Sequence, residues 1–579
     1  MSSQRSLPRA LRTALAVAAT AATAAALLGA AALPAQAAAG GNGNGNGGNS
    51  GKAGKPSPAP AAAPGLNGYR SVGYLMADAP VTRGFEVADL VATGAIDDLT
   101  HLNYAFGNVT SDLVCDILDV PGEGDAQNDF LRLVPAADSV DGVADSPTQA
   151  LAGNFNQLRE LKARHPDIEV LVSLGGWTWS DHFSEAASTA EGRARLVESC
   201  VDLYLRGDLP VIDGKGGDGA AAGVFDGIDI DWEWPVTGGE TTNARPEDRE
   251  NFLLLMEAFR TALDDLGAET GEDYLLTAFA PAGGWNAGQG GWLDPRLFAA
   301  VDFLNVQGYD FHGGWVPNQT GHQGNLHPDG DHNWGLGLDG AVGMYEAAGA
   351  DPSQLNAGLA AYGHGWYGVT DGSSGWQPAA GYVGTKTYAQ LRTLGTAHFD
   401  PVIGASWRYD GDQWWSYDDP ASVNAKAEWV AEQGYGGAMW WDLSGDYRNE
   451  LGGTLGATLR AAAPGPLSDA SCAAPWYATA VYTAGDVVSF GGVEYRAKWW
   501  TRNQAPGDAR GPWQAIGGCG TAPAPVPVAC APAWDAATVY VSGDRVSRAG
   551  VTYVAQWWTK GERPGTVTWG AWDVVGPCR

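Results

Sequence analysis

Phe225-Asp226-Gly227-Ile228-Asp229-Ile230-Asp231-Trp232-Glu233-Trp234-Pro235 is the stretch whose reading decides the fold. In an extended strand successive side chains alternate between faces, so Gly227, Asp229, Asp231 and Glu233 point one way and Asp226, Ile228, Ile230, Trp232 and Trp234 the other. One face therefore carries three carboxylates in a row. Burying unpaired carboxylates is costly and demands neutralisation, pairing or a metal, so this is an active-site strand rather than an ordinary core strand. Asp226 lies on the opposite parity and takes a structural role.

Outward from this strand the pattern is strand, then helix, repeatedly. Candidate strands lie at 71–76, 99–106, 169–174, 225–231, 274–279, 301–307, 356–361 and 437–441, with helical patterns such as 154–164, 189–206, 249–266 and 420–433 between them. Eight strands alternating with helices predict an α/β chain with a (β/α)8 TIM barrel. The competing fold, an open doubly wound sheet, lacks its Gly-rich phosphate loop after the first strand. In a barrel the chemistry sits at the carboxyl ends of the strands. Polar and aromatic residues cluster there: Ser173-Leu174-Gly175-Gly176-Trp177 on the third strand, Asp231 and Glu233 on the fourth, Gln307-Gly308-Tyr309-Asp310 on the sixth, and Met439-Trp440-Trp441-Asp442 on the eighth.

At 579 residues the chain is too long for one domain, and its composition, 45% hydrophobic and 17% charged, is globular. A formal net charge of -32 excludes nucleic acid and other polyanions as partners and favours a neutral substrate. The 25 Trp and 20 Tyr suit ligands that offer both apolar faces and hydroxyls. Arg5, Arg9 and Arg12, an apolar run over 14–33 and the small residues at 34–37 read as a signal peptide over 1–37, which makes the protein secreted and extracellular. The run is mostly Ala and no second spanning segment follows, so no membrane association is expected. Residues 38–66 form a Gly/Asn- and Pro/Ala-rich linker.

Ser173-Leu174-Gly175-Gly176, the stretch Asp226 to Glu233, Tyr309-Asp310 and Gly437-Ala438-Met439-Trp440-Trp441 resemble the signatures of glycoside hydrolase family 18, the chitinases. Two departures stand out. Gln307 occupies a place where Met is usual, and the seventh strand reads Tyr362-Gly363-His364 where an Arg often follows the Gly. His312 and His364 are expected to be structural hydrogen-bonders without a catalytic role. From the residues themselves, Glu233 is the general acid, last on the polar face and nearest the barrel mouth, and the crowded carboxylates must share at least one proton.

The resemblance implies the rest of the mechanism: the substrate's own 2-acetamido oxygen attacks the anomeric carbon, with retention. Asp231 would orient the acetamido N–H, Asp229 would relay charge to Asp231, and Tyr309 would donate to the acetamido oxygen. Trp441 would form the floor under the sugar. Tyr74, Phe106, Ser173, Trp177, Gln307 and Asp310 would complete the substrate-binding shell. The implied activity is hydrolysis of β-1,4 linkages between N-acetylglucosamine units, with chitin and its oligomers as partners, by a monomer without cofactor. The Asp-x-Asp-x-Glu row could instead hold a divalent cation, but the Tyr and Trp strand ends suit a sugar better, so no metal is expected.

The catalytic barrel is placed at 67–463, and the long aromatic excursion at about 363–420 resembles a small α+β insertion that deepens the cleft in some members of the family. Linkers are placed at 464–471 and 520–529, around two repeats at 472–519 and 530–579. Cys472, Trp476, Tyr482, Trp499 and Trp500 recur as Cys530, Trp534, Tyr540, Trp557 and Trp558, 58 positions on, while Trp513 and Cys519 recur as Trp572 and Cys578, 59 positions on. Units this short need staples, so Cys472 is expected to pair with Cys519 and Cys530 with Cys578. Cys115 and Cys200 remain, and the sequence leaves open whether they pair with each other. Each Trp-Trp pair is read within a short strand, so that one ring can fill the core while the other meets solvent as a sugar platform. Both repeats resemble the all-β chitin-binding modules of carbohydrate-binding families five and twelve. Two alternatives to a chitinase fit the same signature: a barrel lectin without turnover, and an endo-β-N-acetylglucosaminidase acting on glycoproteins.

Overall fold

Eight parallel strands close on themselves in chain order: β1 (Arg70–Met76), β2 (His101–Gly107), β3 (Glu169–Gly175), β4 (Gly227–Asp231), β5 (Leu275–Ala280), β6 (Phe303–Val306), β7 (Leu355–Ala360) and β8 (Gly437–Trp441), with β8 returning to β1. The computed structural model describes residues 66–467 except 121–123, 241–242 and 331, and in the C-terminal region 481–482, 487–490, 493–502, 504, 506, 511–518, 531–541, 544–548, 551–555, 558–564 and 571–577. The expected signal peptide, the first linker, Cys472, Cys519, Cys530, Cys578 and Trp557 lie outside the described residues. No described helix is long and apolar enough to cross a membrane.

The barrel strands are buried almost throughout because helices cover them outside and side chains fill them inside. Helices form where the sequence supplies both an apolar stripe and punctuation. In the helix Asp248–Thr270 the side chains of Phe252, Leu255, Met256, Phe259, Leu263 and Leu266 recur three and four apart and are buried, and Gly271 ends the helix in the left-handed region at φ 84°. The helix Pro420–Gln433 starts on Asp419, whose carboxylate accepts from the N–H groups of Ala421 and Ser422, and stops at Gly434. The run expected to be one helix over 189–206 is a helix Ala190–Cys200 that widens into a looser turn at Val201–Arg206.

The excursion after β7 holds an antiparallel sheet of five strands in the order Gly381–Thr387, Tyr362–Tyr367, Trp414–Tyr417, Ala405–Tyr409 and Thr396–Asp400. It has a small core of its own, built on Trp366, Val369, Trp407 and Trp414. Cys115, in the loop after β2, is disulfide-bonded to Cys200 at the end of the helix Ala190–Cys200, with Cα atoms 4.9 Å apart. The two ends of the barrel chain meet: Gly465 N–H donates to the Asn67 carbonyl at 2.7 Å and Leu467 N–H to that of Gly68 at 3.1 Å.

The two C-terminal repeats share one architecture. Each has a three-stranded antiparallel sheet, Val487–Phe490, Val493–Ala497 and Trp513–Gly518 in the first, Arg545–Arg548, Val551–Ala555 and Trp572–Pro577 in the second, and a two-stranded ribbon beside it. Tyr482, Val488, Ala497 and Trp513 of the first core correspond to Tyr540, Val546, Ala555 and Trp572 of the second, with Tyr482 edge-on to Trp513 at 5.1 Å and Tyr540 edge-on to Trp572 at 5.0 Å.

The expectation that one ring of each Trp pair fills the core is corrected in the first repeat, where Trp499 and Trp500 are both exposed, at 50% and 63%. The strand stops at Ala497 and the pair sits in the bend that follows, so strand alternation no longer applies and Trp513 takes the core position. In the second repeat Trp558 is likewise 63% exposed.

Candidate active site

The strand alternation puts Asp229 inside the barrel, where it is fully buried beneath the mouth. Three hydroxyls from three other strands converge on it. Tyr74 of β1 and Ser173 of β3 each donate to Oδ2 at 2.7 Å, and Thr277 of β5 donates to Oδ1 at 2.5 Å. Burial raises the Asp229 pKa and these donors pull it back. Tyr74 and Ser173, expected around the sugar, are closed off from the cleft and hold Asp229 from within the barrel.

Asp231, two residues on, is 2% exposed, and its Oδ1 is buried with no hydrogen-bond partner among the described residues. Burial first, then the charges of Glu233 and Asp229, push its carboxyl well above the usual range. β4 ends at Asp231, and Glu233 stands beyond it, half-buried, its N–H donating to Ser180 Oγ at 2.9 Å. Burial, with Asp310 adding to it, raises Glu233 to about 8. The expectation that the row retains a proton near neutral pH agrees with these directions.

The alternation fails past β4. Trp234, expected on the outer face, stacks on Phe279 at 5.7 Å and lies edge-on to Trp292. The peptide between Glu233 and Trp234 is cis, as are those between Ala105 and Phe106 and between Trp441 and Asp442. Asp226 does point outward, pairing with Lys162 at 2.6 Å.

Aromatic rings wall the mouth. Trp441 is half-buried, stacked on Phe106 at 5.5 Å and tilted against Tyr74 at 5.5 Å. Tyr309 follows β6, stacked on Phe279 at 6.2 Å. Burial raises its hydroxyl pKa well above the ordinary value, so it is a donor at any working pH. Trp177 is 50% exposed. It leans on Gly239, where an added Cβ would come within 2.9 Å of the ring and 2.6 Å of the Glu233 carbonyl oxygen, so only glycine lets the Glu233 loop pass under this ring. Gln307 is half-buried after β6, its N–H donating to the Ala280 carbonyl at 2.8 Å.

Asp310 has φ 59° and accepts hydrogen bonds from Tyr362 Oη and from His364 Nε2, the latter at 2.8 Å. His312 matches its structural expectation, buried with Nε2 2.8 Å from the Gln319 carbonyl. His364 goes further, since it touches a carboxylate of the cleft. Sequence reasoning missed Thr277, Ser180 and this contact of His364. Thr277 had a signal, a polar residue of inward parity in the apolar strand Leu275–Ala280. Ser180 and the Asp310 contact arise from loops and had none.

A closed parallel barrel with a buried row of carboxylates at its mouth, walled by aromatic rings, defines the barrel class of glycoside hydrolases. Residues 70–446 match Glycosyl hydrolases family 18, and the chain belongs to that family. Residues 475–514 and 533–573 match Carbohydrate-binding module family 5/12. The chain is similar to "Chitinase C" of Streptomyces lividans, 36% identical over 397 residues, covering 67% of this chain and 59% of that one. It is also similar to "Chitinase A1" of Niallia circulans, 31% identical over 445 residues, covering 69% and 59%. The chain thus spans about three fifths of the length of these curated relatives. Among solved structures, the catalytic domain of psychrophilic chitinase B from Arthrobacter TAD20 superposes with a TM-score of 0.68 at 46% identity, covering 69% of this chain and 98% of that one.

Proposed function

We propose that this chain is a secreted chitinase that hydrolyses β-1,4 linkages between N-acetylglucosamine units with retention, the substrate's acetamido group serving as nucleophile. The observation that carries this reading is the pairing of a buried, unpartnered acceptor, Asp231 Oδ1, with the proton-retaining Glu233 beside it. An acetamido N–H is a group that would satisfy that oxygen. Glu233 protonates the leaving glycosidic oxygen while the acetamido oxygen attacks the anomeric carbon. Asp231 holds the acetamido N–H and offsets the positive charge of the cyclic intermediate, and Asp229 supports Asp231 from the barrel interior. Tyr309 donates to the acetamido oxygen, and Trp441 supports the sugar from below. Glu233, now a base, takes a proton from the water that opens the intermediate.

The presence of Glu233 disfavours the lectin reading, and two repeats with exposed tryptophans favour an insoluble polymer over glycoproteins. Export is supported by the basic and apolar pattern at 5–37 and by the Cys115–Cys200 bond, which an oxidising compartment sustains. Glu233→Gln is expected to lower hydrolysis of an N-acetylglucosamine hexamer by roughly 100- to 10,000-fold while leaving the hexamer bound. Retention of near-full turnover would remove Glu233 from its role. In the unsubstituted enzyme, the rate falls as pH rises through about 8, where Glu233 loses its proton.

A further inference from the structure

The strand ladder holds β4 only as far as Asp231. Its last pairs are Gly175 with Asp231 on the β3 side and Ile230 with Ala278 on the β5 side. Glu233 lies two residues past that point, so no neighbouring strand fixes its backbone. Its N–H goes instead to a side chain, Ser180 Oγ, at 2.9 Å. The same hydroxyl is 2.8 Å from the Gly176 carbonyl oxygen and 3.2 Å from that of Asp231. A hydroxyl has one hydrogen to give and lone pairs to receive, so Ser180 accepts from Glu233 and shares its hydrogen between the two carbonyls. Ser180 is 2% exposed, which keeps bulk water from these bonds. One oxygen thereby ties together the first residue after β3, the last residue of β4 and the proton donor.

Ser180 closes the short helical turn Gly176–Trp179. That turn also carries Trp177, whose ring packs with the Glu233 carbonyl against Gly239. The N–H of Glu233 is thus met by Ser180 and its carbonyl side is packed under Trp177, two residues of one turn. Beyond, Trp234 is anchored on Phe279 at 5.7 Å. We propose that Ser180 is a positioning residue for Glu233: its hydroxyl stands in for the missing strand neighbour and sets where the acid is carried relative to the Trp177 ring. This rests on the glycosidase reading of the site. No step of the reaction passes through Ser180, whose hydrogen is committed to backbone carbonyls. Glu carries its carboxyl well out from the backbone, so a small turn of the peptide moves the acid by a larger distance. Proton donation depends steeply on that distance, because the proton crosses only within hydrogen-bond reach. Asp231 is still held by its pairing with Gly175 when the hydroxyl is lost, so the acetamido group keeps its partner.

The test uses the leaving group to separate placing the acid from holding the fold. In the N-acetylglucosamine hexamer the departing sugar oxygen must be protonated. The dinitrophenyl glycoside of the N-acetylglucosamine dimer releases a phenol that is stable as its anion and needs no proton to depart. For both, kcat/KM reports the reaction up to the first bond cleavage. Measured on one preparation, the two values form a ratio from which the fraction of folded enzyme cancels. Ser180→Ala removes the hydroxyl, and Ser180→Cys puts a weakly hydrogen-bonding thiol in its place. Each is expected to lose roughly 10- to 100-fold on the hexamer and less than about 3-fold on the aryl glycoside, as for an acid misplaced by about 1 Å. Should one variant fold poorly, the ratio from the other decides. Equal losses on the two substrates would show that Ser180 only holds the fold, and unchanged values on both that it does not bear on turnover; either overturns the proposal. If the parent chain cleaves neither substrate, the glycosidase reading fails and this role falls with it. A parent that cleaves both leaves that reading standing, and the ratio then judges Ser180 alone.

Discussion

Glu233 is held in a place that favours its neutral form, and this has a cost in stability with a definite pH dependence. Its pKa in the fold is about 8, whereas an unfolded Glu titrates near 4.3. The folded state therefore holds a proton that the unfolded state releases between these values. The associated stability is fully present below the unfolded value and is lost as pH rises toward 8. Glu233→Gln removes this dependence. Its melting temperature is expected to match that of the parent near pH 4 and to exceed it by several degrees at pH 8 to 9, measured by calorimetry at both ends. A gap of the same size at both pH values would show that Glu233 is not perturbed. Asp229 is treated differently: three hydroxyl donors oppose the effect of its burial, so neighbouring acids on one strand face have unlike surroundings and unlike work.

At the scale of elements, the barrel was legible because periodicity and parity are set by the backbone. All eight strands lie within two residues of their expected bounds, and parity correctly put Asp229 and Asp231 inward and Asp226 outward. The reading failed where strands end. Trp234 turned inward past β4, Trp499 and Trp500 both faced solvent past Ala497, and the contact of His364 with Asp310 depended on how an insertion folds against a loop. Such placements are fixed by tertiary packing, for which a single sequence carries no period. The Cys115–Cys200 bond is an element-scale device, closing a separation of 85 residues between the loop after β2 and a helix on the outside of the barrel. Cys115→Ala with Cys200→Ala is expected to lower stability by about 2–5 kcal/mol in denaturant titration. An unchanged midpoint would mean that the bond does not constrain the unfolded chain.

At the scale of the whole molecule, cleavage and adhesion are assigned to separate parts of one chain. A chain ending at Leu467 keeps the hydrogen bonds that join the barrel's ends. It is expected to cleave the soluble hexamer as the full chain does and to lose roughly 10-fold or more of its hold on insoluble chitin. Equal retention on the solid would leave the two repeats without this purpose. The orphaned Asp231 Oδ1 bears on a question the repeats cannot answer. A flat indole stacks on the face of any pyranose, so exposed Trp500 and Trp558 have little means of telling chitin from cellulose, which shares its linkage and ribbon shape. Cellulose brings no amide, however, and in the cleft it would leave that buried oxygen unmet, a deficit of the kind that separates substrates by large factors. On the proposed mechanism the chain would tolerate mistaken landings: it would rest on the wrong polymer without cutting it, because cellulose brings neither the attacking acetamido oxygen nor the N–H that would meet Asp231.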